Sequence, residues 1–232
     1  MRHILIIPLL LISIISSPSW SADFYKGAAA YISGDFATAL REWTPLAEQG
    51  SADAQYGLGT MYYNGKGVLQ DYKAGAKWFT LAAEQGNADA QGNLGVAYHF
   101  GRGVKKDHAI SLKWHLLAAE QGNAMSQASI GYAYELGLGT LQDFKESMKW
   151  YKLAAEQGNA DAQGNIAIKY AKGEGVMKSY IYAHMWANIG SSNGNEKAGK
   201  MRELVAKAMT QSQIEKAQNL ARECVAKNYK GC

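Results

Sequence analysis

Apolar and polar residues recur along this chain with a period of 36 residues. Aliphatic, tyrosine, glycine and tryptophan positions each return in register in four successive segments. The aligned columns are Leu58, Leu94, Ile130 and Ile166; Tyr62, Tyr98, Tyr134 and Tyr170; Gly65, Gly101, Gly137 and Gly173; and Trp78, Trp114, Trp150 and Trp186. A period of roughly 20–50 residues is typical of a solenoid, in which each repeat is one supersecondary unit.

Each repeat is predicted to contain two helices. In the first helix, Ala54, Leu58 and Tyr62 lie four residues apart and form one apolar stripe. Gly65 ends this helix, because glycine adopts a left-handed backbone at little cost. The second helix is predicted to begin after an aspartate N-cap such as Asp71. The whole chain is therefore predicted to be all-α.

A glycine in the middle of the first helix predicts close packing between the two helices of a repeat. Such a glycine costs about 0.5–1 kcal/mol relative to alanine, so its presence needs a compensating contact. We expect the tryptophan of the second helix to fill the space beside it. The glycines concerned are Gly59, Gly95 and Gly131, and the fourth repeat has Ala167 instead.

One phrase of twelve residues, AAEQGNADAQGN, occurs at 82–93 and again at 154–165. It joins the predicted end of a second helix to the predicted start of the next first helix. Its glycine makes the turn, and its first asparagine is placed to cap the following helix. The phrase is therefore interpreted as a hinge that each repeat needs in the same form.

The two ends of the chain depart from the repeat. Helices over 24–33 and 36–49 are predicted to form a pair in which Pro45 interrupts the second helix. Asn195 starts another first-type helix, and Thr210 with Gln213 fits a capping box before a last helix, to about Lys227. The predicted organisation is a cleaved signal peptide at 1–21, an N-terminal capping pair at 22–50, four repeats at 51–194 and C-terminal capping helices at 195–232.

The repeated pattern AxxxLGxxYxxGxGVxxDxxKAxxWxxxAAEQGN resembles the Sel-1-like repeat family, a branch of the tetratricopeptide-like solenoids. The resemblance covers roughly Asp23 to Asn195. It implies a right-handed α/α solenoid and a role in scaffolding and protein interaction. Some exported bacterial members of the family have been linked to β-lactam binding or host contact.

The first 21 residues have the layout of a secretory signal peptide. Arg2 and His3 precede the apolar run 4–15, and small polar residues follow it. The alternative is an uncleaved anchor, but the run is shorter than the roughly 20 residues that a bilayer span needs. We therefore expect a periplasmic or secreted protein with no membrane anchor after cleavage.

Cys224 and Cys232 are the only two cysteines of the chain. An exported protein meets an oxidising compartment, in which such a pair is expected to form a disulfide. Free thiols or an intermolecular bond remain open. The net charge of +4 is small and dispersed along the sequence, so we expect no nucleic-acid partner.

No constellation for catalysis, metal binding or a cofactor is visible. The histidines fall in different columns, and the recurring acidic residues are better explained as helix caps than as catalytic groups, because an active site needs unlike groups that converge once. The GxGV turns lack the residues that a phosphate loop requires. The protein is therefore predicted not to be an enzyme.

Positions that vary between repeats are candidates for partner binding, since the first helices should line a concave groove. The candidates are Tyr56, Tyr63, His99, Tyr132, Glu135 and Lys169. The alternative is that these positions are simply unconstrained. The function expected is a monomeric protein- or peptide-binding scaffold or adaptor of the cell envelope. Two other hypotheses are a cell-wall enzyme with weak β-lactam-hydrolysing or penicillin-binding activity, and a structural spacer in an envelope assembly.

Overall fold

A computed structural model of the protein describes residues 22–232, so the predicted signal peptide lies outside the described residues. Twelve α-helices and no strand make up this part of the chain, which confirms the all-α solenoid. The helices are α1 (Phe24–Ser33), α2 (Phe36–Glu48), α3 (Ala52–Asn64), α4 (Tyr72–Glu84), α5 (Ala88–Phe100), α6 (His108–Glu120), α7 (Ala124–Leu136), α8 (Phe144–Ala155), α9 (Ala160–Lys172), α10 (Tyr180–Ser192), α11 (Glu196–Ala206) and α12 (Gln211–Ala226).

Helices α3 to α10 form the four repeats, and each repeat is a packed pair of helices. Contacts join α3 to α5, α5 to α7 and α9 to α11, so the first helices form the inner row of the solenoid. Every first helix of a repeat begins at a serine or asparagine cap and ends at a glycine with left-handed backbone. The predicted caps and stops are therefore confirmed.

The aromatic residue that packs against the mid-helix glycine is not the tryptophan but the residue after it. A methyl group added at Gly59 would lie 2.5 Å from the ring of Phe79, and one added at Gly131 would lie 2.7 Å from the ring of Tyr151. The prediction that tryptophan fills this space was wrong. The fourth repeat combines Ala167 with Ala187, so a larger inner residue is matched by a smaller facing one.

The tryptophans instead pack between repeats. Trp78 lies against the apolar cluster of α1, α2 and α3, Trp114 against the cluster of the first and second repeats, and Trp150 against that of the second and third. Trp43 stands in the column of Phe79, one position after the tryptophan column, and its ring lies against Gly27 and Gly57. The N-terminal pair is thus built on the same contact as the repeats.

Glutamines in the hinge form the polar frame of the solenoid. Gln91 donates its amide to the carbonyl of Ala83 at 3.2 Å, and its oxygen accepts a hydrogen bond from Gln121 at 2.8 Å. Each repeat has the same arrangement, with Asn193 replacing glutamine at the last position. These buried amides satisfy helix-end carbonyls, which explains why the glutamines of the hinge recur in every repeat.

The terminal helices agree with the predicted ranges. Helix α2 spans Pro45 and ends at Glu48, one residue before the predicted end at 49, and it is not interrupted at the proline. Thr210 and Gln213 form the predicted capping box at the start of α12. Within residues 22–232, no helix is long and apolar enough to cross a membrane.

The last six residues fold back against the ends of the third and fourth repeats. The Sγ atoms of Cys224 and Cys232 lie at bonding distance. The Asn193 side-chain amide donates to the Tyr229 hydroxyl at 3.1 Å, and the Gly231 amide donates to Glu156 at 3.4 Å. The C-terminal tail is therefore positioned as a hook over the end of the solenoid.

The disulfide itself stays a prediction, and Cys232→Ser tests it. Closing a loop of this length should stabilise the fold by about 2 kcal/mol, because it restricts the unfolded chain. Urea unfolding of wild type should shift to the stability of the variant when a reductant is added. A wild-type curve that is unchanged by the reductant would show that the thiols are not paired.

Candidate functional site

A pocket of about 540 Å³ opens on the concave face, between the second repeat and the C-terminal cap. Its walls come from α5, α6, α7, α9 and α11. Tyr132, Val96 and Ile168 make it apolar, while Ala128 and Gly164 leave it room. The inner row of helices therefore borders a concavity large enough for a side chain and the backbone around it.

Side-chain hydrogen bonds between an asparagine and an aspartate join neighbouring repeats and form a polar ladder along the described chain. One rung of this ladder is missing at the pocket. At three junctions between repeats, the hinge asparagine donates its side-chain amide to an aspartate of the preceding repeat; the pairs are Asn87 with Asp53, Asn123 with Asp89, and Asn195 with Asp161, at 2.7–3.0 Å. At the fourth junction, Met125 occupies the aspartate position. Asn159 Oδ1 caps α9, but its Nδ2 has no hydrogen-bond partner within the described chain. An amide donor is thus free at the edge of an apolar pocket.

Three histidines lie at the other side of the pocket. The rings of His99 and His108 are 4.9 Å apart, and the ring of Tyr132 is 6.2 Å from that of His99. Burial lowers the pKa of His99, and the neighbouring His108 and Lys106 lower it further. His99 is therefore expected to be neutral at pH 7, when it can both donate and accept a hydrogen bond.

His115 forms the floor of the pocket. It occupies the inner column of Phe79 and Tyr151, and its Nδ1 lies 3.2 Å from the hydroxyl of Ser126. Burial lowers the pKa of His115 to about 4, with a smaller contribution from His99. Ser126 has no exposed surface, so this serine–histidine pair does not present its hydroxyl to a substrate in the groove.

His99 and Tyr132 are the two predicted contact residues that the structure brings together in the pocket. Tyr132 keeps 44% of its surface exposed. Tyr56 is half-buried beside Phe79, and burial raises its pKa. Tyr63 is buried between Phe79 and Tyr72, so its ring belongs to the core of the first repeat.

Glu135 and Lys169 meet each other instead of facing a partner. The Lys169 side chain has no exposed surface, and its ammonium lies 2.6 Å from Glu135 and 2.8 Å from Glu174. Phe144 covers the same ammonium at 4.7 Å, and the Tyr151 hydroxyl donates to Glu135 at 2.8 Å. The hydrogen bond from Lys169 lowers the pKa of Glu174. This network links the third repeat to the fourth, so Lys169 is not available on the groove surface.

Sequence reasoning missed Met125, Asn159 and Ile168 as residues of the site. The signal for Met125 was present, because it breaks a column that otherwise reads Asp53, Asp89 and Asp161. The free amide of Asn159 is a consequence of that break. It could be recognised only once the structure showed that the aspartates of this column accept the asparagine amides. Among the residues described, no three histidine, cysteine or acidic side chains are grouped as metal ligands.

Comparison with known proteins identifies the repeats. The Sel1 repeat family model matches residues 52–87, 88–123, 124–159 and 160–195. No curated protein matches the chain at a comparable level.

Solved structures with the same architecture include a protective antigen present in uropathogenic Escherichia coli strains, described as displaying an SLR fold. It has 30% identity and a TM-score of 0.82, with 89% of this chain and 46% of that protein covered. This chain thus spans about half the length of the E. coli protein. A Sel1 repeat protein from Oxalobacter formigenes has 30% identity and a TM-score of 0.72, with 89% and 85% covered. A putative Sel1 repeat protein from Klebsiella pneumoniae, at 18% identity and a TM-score of 0.54, shares the fold.

Proposed function

The chain belongs to the Sel1 repeat family, whose members generally mediate protein–protein interactions, and from this premise we propose that it is a non-enzymatic scaffold that binds an extended peptide segment in its concave groove. The observation that carries the proposal is the missing rung between Met125 and Asn159. It leaves a hydrogen-bond donor free beside an apolar pocket of about 540 Å³.

The chemistry of the pocket defines what the segment must offer. An apolar side chain fits between Tyr132, Ile168 and Ala128, where it is removed from water. A backbone carbonyl beside it can accept the amide of Asn159, as the aspartate does at the other junctions. Tyr132 supplies a large contact surface with a polar tip, which is typical of residues that dominate binding energy.

The site of action that we propose is the periplasm or the outside of the cell. The N-terminal segment supports export, and the cysteine pair suits an oxidising compartment. Fractionation of cells that produce the protein, with mass spectrometry of its N-terminus, should find it in the periplasm or the medium and lacking residues 1–21. Intact protein in the cytoplasm would overturn the assignment.

A peptide library displayed on phage tests groove binding directly. Wild-type protein should enrich peptides with a shared apolar position, and Tyr132→Ala should weaken their binding by about tenfold or more, which corresponds to about 1.4 kcal/mol. Fluorescence anisotropy with synthetic copies of the enriched peptides gives the dissociation constants.

Met125→Asp is the second variant, because it restores the missing rung. The new carboxylate should accept the amide of Asn159, so the variant should fold at least as stably as wild type and yet lose peptide binding. Tyr25→Ala is the matched control, since Tyr25 is an exposed aromatic residue on α1 that does not line the pocket. Peptides that bind wild type and all three variants equally would exclude the groove as the binding site.

A further inference from the structure

The topology gives the solenoid two distinct edges. Consecutive helices pack side by side and run in opposite directions, so all hinges lie at one end of the helices and all loops within repeats lie at the other. We call these the hinge edge (47–53, 83–89, 119–125 and 155–161) and the loop edge (65–71, 101–107, 137–143 and 173–179). A helix of 13 residues separates them by roughly 20 Å.

The four segments that define the hinge edge are acidic, and the C-terminal tail with Lys227 and Lys230 packs only at the last of them, through Gly231 and Glu156. The four segments contain no lysine or arginine and carry seven acidic residues, which are Glu48, Asp53, Glu84, Asp89, Glu120, Glu156 and Asp161. Glu48, Glu84 and Glu120 each occupy the last position of a helix, where the helix dipole disfavours a negative charge. Asp53, Asp89 and Asp161 lie in the first turn of their helices, where the dipole favours a negative charge, so the local preference of the helices accounts for the aspartates and not for the glutamates.

The loop edge has the opposite character. Its cations are all exposed, and none of them forms an ion pair among the described residues; they are Lys66, Arg102, Lys105, Lys106 and Lys178. Its acidic groups are engaged within the fold. Asp71, Asp107 and Asp143 accept backbone amides as helix caps, and Glu174 pairs with Lys169. The five cations outnumber the four acidic groups of this edge, so its net charge is +1, and the cations are the groups that extend into solvent.

The same edge carries the three most exposed large apolar side chains in the described part of the chain. Leu69 is 92% exposed, Met177 89% and Leu141 87%. They occupy the same position in three of the four loops, and Lys105 occupies it in the other. With a rise of roughly 10 Å per repeat, they form a row of separate tips instead of a continuous patch.

We propose that the loop edge docks on an anionic lipid surface. The unpaired cations draw this edge towards the headgroups, while the acidic edge is held away from them. Leu69, Leu141 and Met177 then enter the interfacial region as separate apolar tips. A protein partner is the weaker match, because the tips stand apart and an interface core is a contiguous, close-packed patch. The proposal does not depend on peptide binding in the groove.

Co-sedimentation with vesicles tests the docking. The protein should bind vesicles of phosphatidylglycerol and phosphatidylethanolamine, and binding should weaken as salt is raised. The combined variant Leu69→Ser, Leu141→Ser and Met177→Ser should bind at least about tenfold more weakly, because each leucine or methionine loses its apolar contact with the bilayer. Circular dichroism should show an unchanged fold, since these side chains lie in solvent.

Controls separate the edge from other membrane contacts. Wild type and variant carry the same N-terminus, so any contribution of residues 1–21 is equal in both. Lys105→Ser with Lys106→Ser should reduce binding and its salt dependence, while Tyr132→Ala in the groove should leave both unchanged. Equal binding of wild type and the triple variant, or equal binding to phosphatidylcholine vesicles, would overturn the proposal. The proposal would also be overturned if wild type associated with itself but bound no lipid, and the triple variant lost that self-association.

Discussion

Replacing Tyr151 by alanine should lower the free energy of unfolding by about 3–5 kcal/mol, the cost of deleting a large side chain from a closed core. The Tyr151 ring has no exposed surface, and its hydroxyl donates to Glu135. Alanine leaves a cavity between α7 and α8 and removes one partner of the Glu135–Lys169 network. Urea unfolding followed by circular dichroism measures the loss.

The same experiment becomes a test of packing when it is combined with Gly131→Ala. In wild type, the added methyl group would lie 2.7 Å from the Tyr151 ring, so the substitution should cost about 1–3 kcal/mol. In the Tyr151→Ala background the ring is gone, and alanine should stabilise the helix by about 0.5–1 kcal/mol. The fourth repeat already uses this solution, with Ala167 facing Ala187. An equal cost of Gly131→Ala in both backgrounds would contradict the proposed fit.

Converting His115 to phenylalanine together with Ser126→Ala should make the solenoid more resistant to acid. The pKa of His115 is lowered to about 4 in the fold, against 6.5 as its ordinary value. Between these two values the unfolded chain binds the proton and the folded chain does not, so stability falls as pH falls from 6.5 to 4. This shift corresponds to about 3 kcal/mol. The double variant resembles the first repeat, where Phe79 takes the same position.

The measurement is the free energy of unfolding of both proteins at several pH values from 7 to 4. The advantage of the double variant over wild type should grow by about 3 kcal/mol across this range. Ser126→Ala alone keeps the buried histidine and should retain the wild-type slope. A double variant with the same slope as wild type would show that another group is responsible for the acid sensitivity.

The period and the caps could be predicted from sequence because they depend on local rules. The left-handed glycines, the aspartate and asparagine caps and the capping box at Thr210 follow from backbone conformation over a few residues. The direction of a side chain across a helix interface does not. A shift of one position decides whether Trp78 or Phe79 faces Gly59, and both residues are large and aromatic.

The candidate site was predicted less completely than the fold, for a physical reason. His99 and Tyr132 could be found because they vary within inner columns. Lys169 varies in the same way, but it is buried by Glu135 and Glu174, which lie in different repeats and on different elements. Variation between repeats therefore marks both partner contacts and internal compensation, and only the packed arrangement separates them.

The glutamine frame has a consequence for how proteins of this kind can change length in evolution. Gln91 hydrogen-bonds both to the end of the preceding helix pair, at Ala83, and to the end of the pair to which it belongs, at Gln121. Gln127 makes the same two connections one repeat later. Gain or loss of one whole 36-residue block brings equivalent donors and acceptors together at the new seam. Removal of half a block leaves glutamine side-chain amides without a hydrogen-bond partner. Natural length variants should therefore differ by multiples of a complete block.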